Sequence, residues 1–410
     1  MKNDLCSLKQ ILSKYGQEHL LYFYDELEPN EKDMLVNQIK HIDFDEINRL
    51  YEKSKFFTRI DSNRITPIPY INKSNMSKEE LEKYSDIGNA IIKGKKLAVI
   101  TLAGGQGTRL GFKGPKGCYE IDIPPKKCLF EFVCDKLKNI HSKFNVTLPW
   151  YIMTSPSNDA ETKKYFENHD YFDYGKENIK FFMQSTFPII SENGKIILDK
   201  IYHIKEGSNG NGDVFKSFND AGLVQDLKEK NIDWIFIGGI DNILLNPADP
   251  LFIGLTVNGN YEVASKSLSK KDLTSSGWIF AKVDNKPRII RPVHLSNAFE
   301  QDETGKYLYN QENMLAHLFS ITAFEKLINK PFPYHMAYKK NDFINEEGML
   351  EVPTKPNSFK FEKFIFDGFM YFDKLLLLQV NEEEEFAPIK SFTGSQTPET
   401  ALDLYLKNNK

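Results

Sequence analysis

The chain has 410 residues, 40% of them hydrophobic and 27% charged, and 53 basic against 57 acidic side chains leave a formal net charge of −4. That length exceeds one ordinary core and implies a large α/β domain with at least one appended piece. The near-neutral balance excludes a general nucleic-acid or membrane field, so any functional cations must be local. No apolar run approaches the ~18 residues of a spanning helix, and Met1-Lys2-Asn3-Asp4 carries no signal-peptide pattern, so a cytoplasmic location is expected. Cys6, Cys118, Cys128 and Cys134 form no C-x-x-C pair and have no His at finger spacing, which points to reduced thiols.

From the N-terminus, residues 1–56 carry apolar side chains at helical spacing: Leu5, Leu8, Ile11 and Leu12, then, after a break at Pro29-Asn30, Met34, Leu35, Ile39, Ile47 and Leu50. They are expected to form an all-α cap. Residues 57–94 are expected to be an extended linker, with Pro67 and Pro69, followed by a helix from Glu79 to Lys93. The rest of the chain is organised around 97–117. There, Leu97 to Ala103 read as a buried strand that empties into a glycine-rich loop carrying Arg109 and Lys116. Without Cβ atoms, Gly104, Gly105 and Gly107 let backbone N–H groups approach phosphate oxygens. A dinucleotide fingerprint is excluded because Gly105, Gly107 and Gly111 are spaced G-x-G-x-x-x-G, and a Walker A loop because Lys116 stands between Pro115 and Gly117.

Leu129 to Leu137 begin a helix, Trp150 to Ser155 form a strand, Asn158-Asp159 cap a helix to about Phe166, and Ile179 to Phe182 form a strand ending at Met183-Gln184. Strands alternating with helices predict a mostly parallel, Rossmann-like sheet with its ligand at the strand C-terminal ends, where the glycine loop, Gln184 and Asp241 fall. Trp234 to Ile240 are a continuous apolar strand closed by Asp241-Asn242, and Leu251 to Val257 a helix. Between 261 and 291 the texture becomes a β meander (Tyr261–Leu268, Gly277–Val283, Arg288–Arg291). Helix is expected again from Met314 to Leu327, then alternating aromatics at 359–367, a strand at Leu375–Val380, a solvated acidic turn at Glu382–Glu385 and a short helical tail over 391–410.

The run Leu102-Ala103-Gly104-Gly105-Gln106-Gly107-Thr108-Arg109-Leu110-Gly111, with Pro115-Lys116-Gly117 after it, resembles the eukaryotic UDP-sugar pyrophosphorylases, most closely the UDP-N-acetylglucosamine pyrophosphorylases. The resemblance continues in order through Leu148 to Ser155, Gly210-Asn211-Gly212, Asp241-Asn242, Lys355-Pro356-Asn357, Glu362 to Asp367 and Pro388-Ile389-Lys390, and covers roughly 95–390. It implies a nucleotidyltransferase domain over 95–390 with a β-rich sugar-binding half, and a reaction of UTP with N-acetylglucosamine 1-phosphate that gives the UDP-sugar and pyrophosphate.

Each implied role can be set beside the chemistry it requires. Catalysis falls to Arg109, Lys116 and Lys390. Arg109 would clamp the β/γ-phosphates with a planar fork, Lys116 would reach the same phosphates, and Lys390 the sugar-side phosphate. The nucleotide would also meet Leu102, Ala103, Gly104, Gly105, Gly210, Asp241 and Lys360, with Gln184 reading the uracil edge because one amide donates and accepts at once. Asn211, Gly277, Asn310, Asn313 and Lys390 would face the sugar. Asp241 would hold Mg²⁺ or Mn²⁺, with Asp213 in reserve, since such an ion takes one or two carboxylates plus phosphate oxygens. The expected partners are UTP and an N-acetylhexosamine 1-phosphate, with no nucleic acid or membrane, in a monomer or weak homodimer.

The chain also departs from the family pattern. A Glu-Tyr pair that contacts the sugar hydroxyls is replaced by Arg291 and Pro292, and an Asn-Ala-Gly-Asn segment reads Asn310-Gln311-Glu312-Asn313. Many relatives continue into a further β domain; here 20 residues follow Lys390, and no separate C-terminal β domain is expected. Two rival readings therefore stand beside the first: a UDP-glucose or broad-specificity pyrophosphorylase, and a UDP-sugar-binding homologue with little turnover.

Overall fold

The computed structural model describes residues 2–56, 60–123, 125–270, 277–295 and 300–409. These divide into two compact units, each assembled from three chain segments. The first unit joins Met1–Thr58 with Ser185–Gly210 and Pro333–Phe364, and the second joins Arg59–Gln184, Asn211–Phe332 and Ile365–Lys410.

In the first unit the helical expectation for the N-terminus holds: helices span Lys2–Lys14, Pro29–Lys40 and Phe44–Ser54. Pro29 marks a start, since it sits in the first helical turn, where its missing N–H costs nothing. These helices do not form a core alone. Leu8, Leu12, Leu35, Ile39, Ile47 and Leu50 pack with Ile190, Ile196, Leu198, Ile204 and Phe361 from the later segments. Two glutamines join helix to strand: Gln17 bonds Gly194 O at 2.8 Å and accepts from Ile196 N at 2.9 Å, and Gln38 does the same with Ile204 O and N at 3.1 and 2.8 Å. Each amide answers a carbonyl and an N–H that the short strands leave unpaired.

The second unit holds an eleven-stranded sheet. Its strands are β1 (Ile65–Thr66), β2 (Ile71–Asn72), β3 (Leu97–Leu102), β4 (Trp150–Thr154), β5 (Ile179–Met183), β6 (Trp234–Gly239), β7 (Val263–Ser269), β8 (Ile279–Val283), β9 (Lys286–Ile290), β10 (Gln311–Ser320) and β11 (Leu376–Gln379). The main path runs β2-β11-β7-β10-β6-β3-β4-β5, and β8 carries β1 and β9 beside it. Neighbours β6, β3, β4 and β5 are parallel. β3 and β4 are buried along their whole length and β6 in all but its first residue, which is why they read as apolar runs, while β5 at the end of the path is buried only at Ile179 and Phe182. Because they run the same way, Leu102, Thr154, Met183 and Gly239 end at one edge of the sheet.

Two expectations from the sequence are corrected here. The extended segment expected over 57–80 begins with residues 57–59, which lie outside the described residues; beyond them it is woven into the sheet, β1 pairing with β8 and β2 with β11. Residues Met314–Ser320, expected to be helical, belong to β10, which is antiparallel to both β6 and β7; helix begins only at Ile321, capped by Ser320. Met, Leu and Ala suit a helix locally, but two neighbouring strands needed a partner, and pairing on both sides overrides a propensity of a few tenths of a kcal/mol per residue. The β7 register shifts between Ser265 and Ser267, whose partners are His317 and Asn313, and Leu315 inside the bulge has φ 58°. The bulge turns the first residues of β10 toward β8, where Glu312 pairs with Ile279.

Candidate active site

The glycine loop leaves β3 and folds back on itself. Gly107 N bonds Gly114 O at 2.9 Å, Lys116 N bonds Gly105 O at 3.0 Å, and Gln106 and Pro115 form a bridge between them. The outgoing stroke is held by residues that follow β4. Asn158-Asp159 are expected to cap a helix to about Phe166, and Asn158 does stand at the N-cap position of the helix Asp159–Asn168, but its side chain donates to Ala103 O at 2.9 Å and Gly105 O at 3.2 Å. Ser155 Oγ donates to Gly104 O at 2.9 Å, and Gln106 Nε2 to Ser157 O at 2.8 Å. With the carbonyls turned inward, the loop has its conformation fixed before any ligand arrives. A Cβ at Gly105 would meet nothing within 4 Å, so the backbone there is open to approach. Arg109 is exposed and makes no ion pair among the described residues.

The neighbouring strand ends supply the other groups. Gln184 follows β5; its N–H donates to Thr154 O at 3.0 Å and its side-chain amide lies against Gly104, filling the space where any Cβ at 104 would stand. Gln184 is buried, yet its Oε1 has no hydrogen-bond partner among the described residues. An unpaired buried acceptor costs about 1–3 kcal/mol, which a ligand N–H would recover. Asp241 follows β6, a quarter exposed, with Lys116 Nζ 3.6 Å from its Oδ2. At that distance the two attract without a hydrogen bond, so both keep capacity for a ligand. Leu102 and Ala103 contribute backbone only, and Ala103 N is already bonded to Met153 O.

Asp241 and Asn242 also position Lys390. Ile389 N bonds Asp241 O at 2.9 Å, and Asn242 donates to Glu385 O and accepts from Ala387 N, both at 2.8 Å. The exposed Lys390 is thereby set on the strand-end edge, its own N–H tied to Gln396 O at 2.9 Å. The same segment corrects the reading of 382–385 as a solvated turn. Glu385 is buried and pairs with Lys266, which is fully buried and also contacts Asp249 at 2.6 Å, while Lys73 reaches Glu385 at 3.0 Å. Burial disfavours the Lys266 ammonium, but the two carboxylates beside it outweigh that and hold its pKa above the ordinary lysine value.

On the other side of Lys390 lies a cleft of about 510 Å³ that it lines together with Lys270, Gly277, Trp278, Glu312 and Asn313. Gly277, Asn313 and Lys390, all expected at the sugar, are thus brought together. Asn310 is buried behind them, accepting from Lys270 N at 2.7 Å through its carbonyl and from Gln311 at 2.7 Å through its side chain. Asn211 lies elsewhere in the unit and accepts from Ile365 N at 3.0 Å, which caps the turn Ile365–Tyr371. Asp213, the reserve metal ligand, is buried and accepts from Ser217 Oγ at 2.5 Å. Arg291 stacks on Trp278, with its guanidinium 4.9 Å from the ring centroid.

Gly210 and Lys360 belong to the first unit. Gly210 has φ +93° and packs so closely on the Lys363 backbone that no side chain fits. The Lys360 stem covers Gly207 and its ammonium pairs with Glu362 at 2.9 Å. The cysteines are free, and burial pushes the Cys118 and Cys134 thiols up to about 12, which removes them as nucleophiles. His317 is buried in β10 and pushed down to about 3, so it is neutral. Sequence reasoning missed Ser155 and Asn158 as holders of the loop. The available signal was a Ser and an Asn three apart at a strand end, which reads equally well as a helix cap.

The description "UTP–glucose-1-phosphate uridylyltransferase" belongs to a family model that matches residues 43–396. Among curated proteins, UDP-N-acetylglucosamine diphosphorylase 2 of Arabidopsis thaliana is 32% identical, the alignment covering 98% of this chain and 83% of that protein. UDP-N-acetylglucosamine pyrophosphorylase of Saccharomyces cerevisiae is 32% identical over 98% of this chain and 90% of that protein. Among solved structures, the uridine diphosphate N-acetylglucosamine pyrophosphorylase of Trypanosoma brucei superposes with a TM-score of 0.81 at 28% identity, covering 99% of this chain and 85% of that one.

Proposed function

Because this chain belongs to the UTP–glucose-1-phosphate uridylyltransferase family, we propose that it transfers uridylyl from UTP to N-acetylglucosamine 1-phosphate. The observation that carries the reading is the single sheet edge at which a cation-flanked glycine loop, one carboxylate and a buried amide with an unpartnered oxygen stand together. A sugar phosphate oxygen attacks the α-phosphorus of UTP in line, the bond from that phosphorus to the bridging oxygen breaks, and pyrophosphate leaves. The nucleophile is largely deprotonated at neutral pH, its second pKa being about 6, so no catalytic base is required. What the chain supplies is orientation and charge.

Lys116 and Arg109 neutralise the phosphates and the departing pyrophosphate, and Lys390 holds the sugar-side phosphate. Gln184 Oε1 accepts from the uracil imide N–H. Asp241 suits a divalent ion: it is partly exposed and its nearest cation lies outside hydrogen-bond distance, at 3.6 Å. Among the described residues no cluster of three or more His, Cys, Asp or Glu forms, which fits an ion completed by substrate oxygens better than one caged by protein. When bound, Mg²⁺ or Mn²⁺ would withdraw charge from the phosphate oxygens.

The test is initial-rate measurement of pyrophosphate release with UTP, Mg²⁺ and the 1-phosphates of N-acetylglucosamine, N-acetylgalactosamine, glucose and galactose. The highest kcat/KM is expected with N-acetylglucosamine 1-phosphate. A higher value with glucose 1-phosphate would replace the substrate, and UTP binding with no turnover of any sugar would leave a UDP-sugar-binding protein. Asp241→Asn should lower activity and raise the Mg²⁺ requirement; an unchanged titration would move the ion to another acid.

A further inference from the structure

Resting on the uridylyl-transfer reading, we infer that Glu312 is a specificity residue that accepts a hydroxyl of the sugar ring, and that Lys270 positions it. The cleft beside Lys390 is polar, and Glu312 brings a carboxylate into it. Its side chain is 28% exposed, whereas that of Lys270, 3.1 Å from Glu312 Oε2, is 2% exposed. The cation is therefore sealed behind the pair and the anion is the member presented to the cleft. A carboxylate has about four acceptor sites, and the pairing with Lys270 uses one.

Gly277 makes this arrangement possible. A Cβ at 277 would overlap Glu312 Oε1 and lie 2.6 Å from Lys270 Nζ, so any larger residue would displace the pair. The backbone fixes both members: Lys270 N is bonded to Asn310 O at 2.7 Å, and Asn313 N to Trp278 O at 2.8 Å. A partly open ion pair contributes little stability on balance, because desolvation offsets the Coulomb gain. Its value here is an oriented acceptor. Arg291 stands where the family pattern has an acid, its guanidinium engaged on the Trp278 ring, and β10 brings the carboxylate of Glu312 into the cleft that Trp278 lines.

The experiment compares wild type, Glu312→Gln and Glu312→Ala with UTP and N-acetylglucosamine 1-phosphate, then with its 3-, 4- and 6-deoxy analogues. Both variants should lose roughly 10- to 100-fold in kcat/KM for the parent sugar, the range for a hydrogen bond to a charged group, with the KM for UTP unchanged. One deoxy analogue should be penalised by a similar factor in wild type and by little in Glu312→Ala, since its missing hydroxyl is the one Glu312 accepts. Calorimetry should show both variants weakened for the UDP-sugar and unaltered for UDP, which also demonstrates that they fold. Lys270→Met should lower affinity for the UDP-sugar while retaining the same deoxy preference. Equal losses on every analogue, or variants indistinguishable from wild type while wild type turns over, would overturn the inference alone. A wild type inactive with every sugar 1-phosphate would overturn the functional reading and this inference with it.

Discussion

The two sides of the strand-end edge are built by different means. On the side we propose for the phosphates the loop from 103 to 117 is held by backbone hydrogen bonds, by Asn158 and Ser155, which reach its carbonyls, and by its own Gln106, which donates to Ser157 O. On the side we propose for the sugar, Lys270–Glu312 lies in the cleft and Lys266–Asp249–Glu385 anchors the segment that carries Lys390. A triphosphate offers the same oxygens whatever sugar it joins, so a site made of fixed N–H groups and two cations suits it. A sugar is recognised through hydroxyls whose placement differs among hexoses, and side-chain acceptors can be exchanged without rebuilding the sheet. Of the departures from the family pattern, Glu312 lines that cleft and Arg291 stacks on Trp278 at its edge.

The largest expected effect comes from removing Arg109, the exposed arginine of the loop. Arg109→Ala should reduce turnover by roughly two to four decades with a smaller change in UTP affinity, as for other charge clamps that act on the transition state. Arg109→Lys should recover little, because a point charge does not reproduce a bidentate fork. Near wild-type turnover in Arg109→Ala would remove the phosphate side from the chemistry.

On the other side, Glu385→Gln should destabilise the fold by about 3–5 kcal/mol, since it leaves the buried Lys266 with one carboxylate, and should raise the KM for the sugar phosphate while UTP binding persists. Thermal unfolding and UTP titration check it; equal damage to both substrates would dissolve the distinction drawn between the sides. The sign of the pH dependence follows from the shifts. The raised Lys266 contributes fully below the ordinary 10.5 and loses its contribution as pH rises through the folded value; the lowered Asp249 contributes above 3.8 and loses it as pH falls. The difference between wild type and variant is therefore to be measured between those limits.

Asn158→Ala should cost about 1–3 kcal/mol by leaving Ala103 O and Gly105 O short of a donor, and should raise the KM for UTP roughly tenfold with the sugar preference unchanged. A shift in sugar preference would mean that the loop is not an independent element. Smallest is Gln184→Ala, for which the preference for UTP over CTP should fall by about tenfold, the value of a single hydrogen bond; competition assays measure it, and an unchanged preference would take base reading away from Gln184.

How much of this was legible before the structure depended on what kind of interaction each residue makes. The buried strands at 97–102, 150–154 and 234–239 announce themselves because both faces are covered and the run is apolar, and the half-buried strand at 179–183 because its apolar residues are interrupted only by Lys180. The glycine loop, Gln184 and Asp241 stand where those runs stop, so spacing along the chain was enough to put them at one edge. The helix expected over Met314–Ser320 failed because strand pairing with β6 and β7 is a contact between distant segments, of which local propensity carries no trace. Glu385 failed for a similar reason: four acidic residues in a row look solvated until a buried lysine from β7 is found opposite the last of them.

By itself, then, the sequence determined the parallel strands, the turn that ends the first of them and the types of residue at each strand end, because period, glycine and charge act over a few neighbouring positions. Tertiary structure alone decided that 1–58 shares a core with 185–210 and 333–364, that Asn158 serves the loop and not its helix, and that Glu312 and Lys270 meet across Gly277. Each of these depends on which distant backbone groups were left without a partner or a space without a side chain, and that is fixed only once the sheet has closed around them.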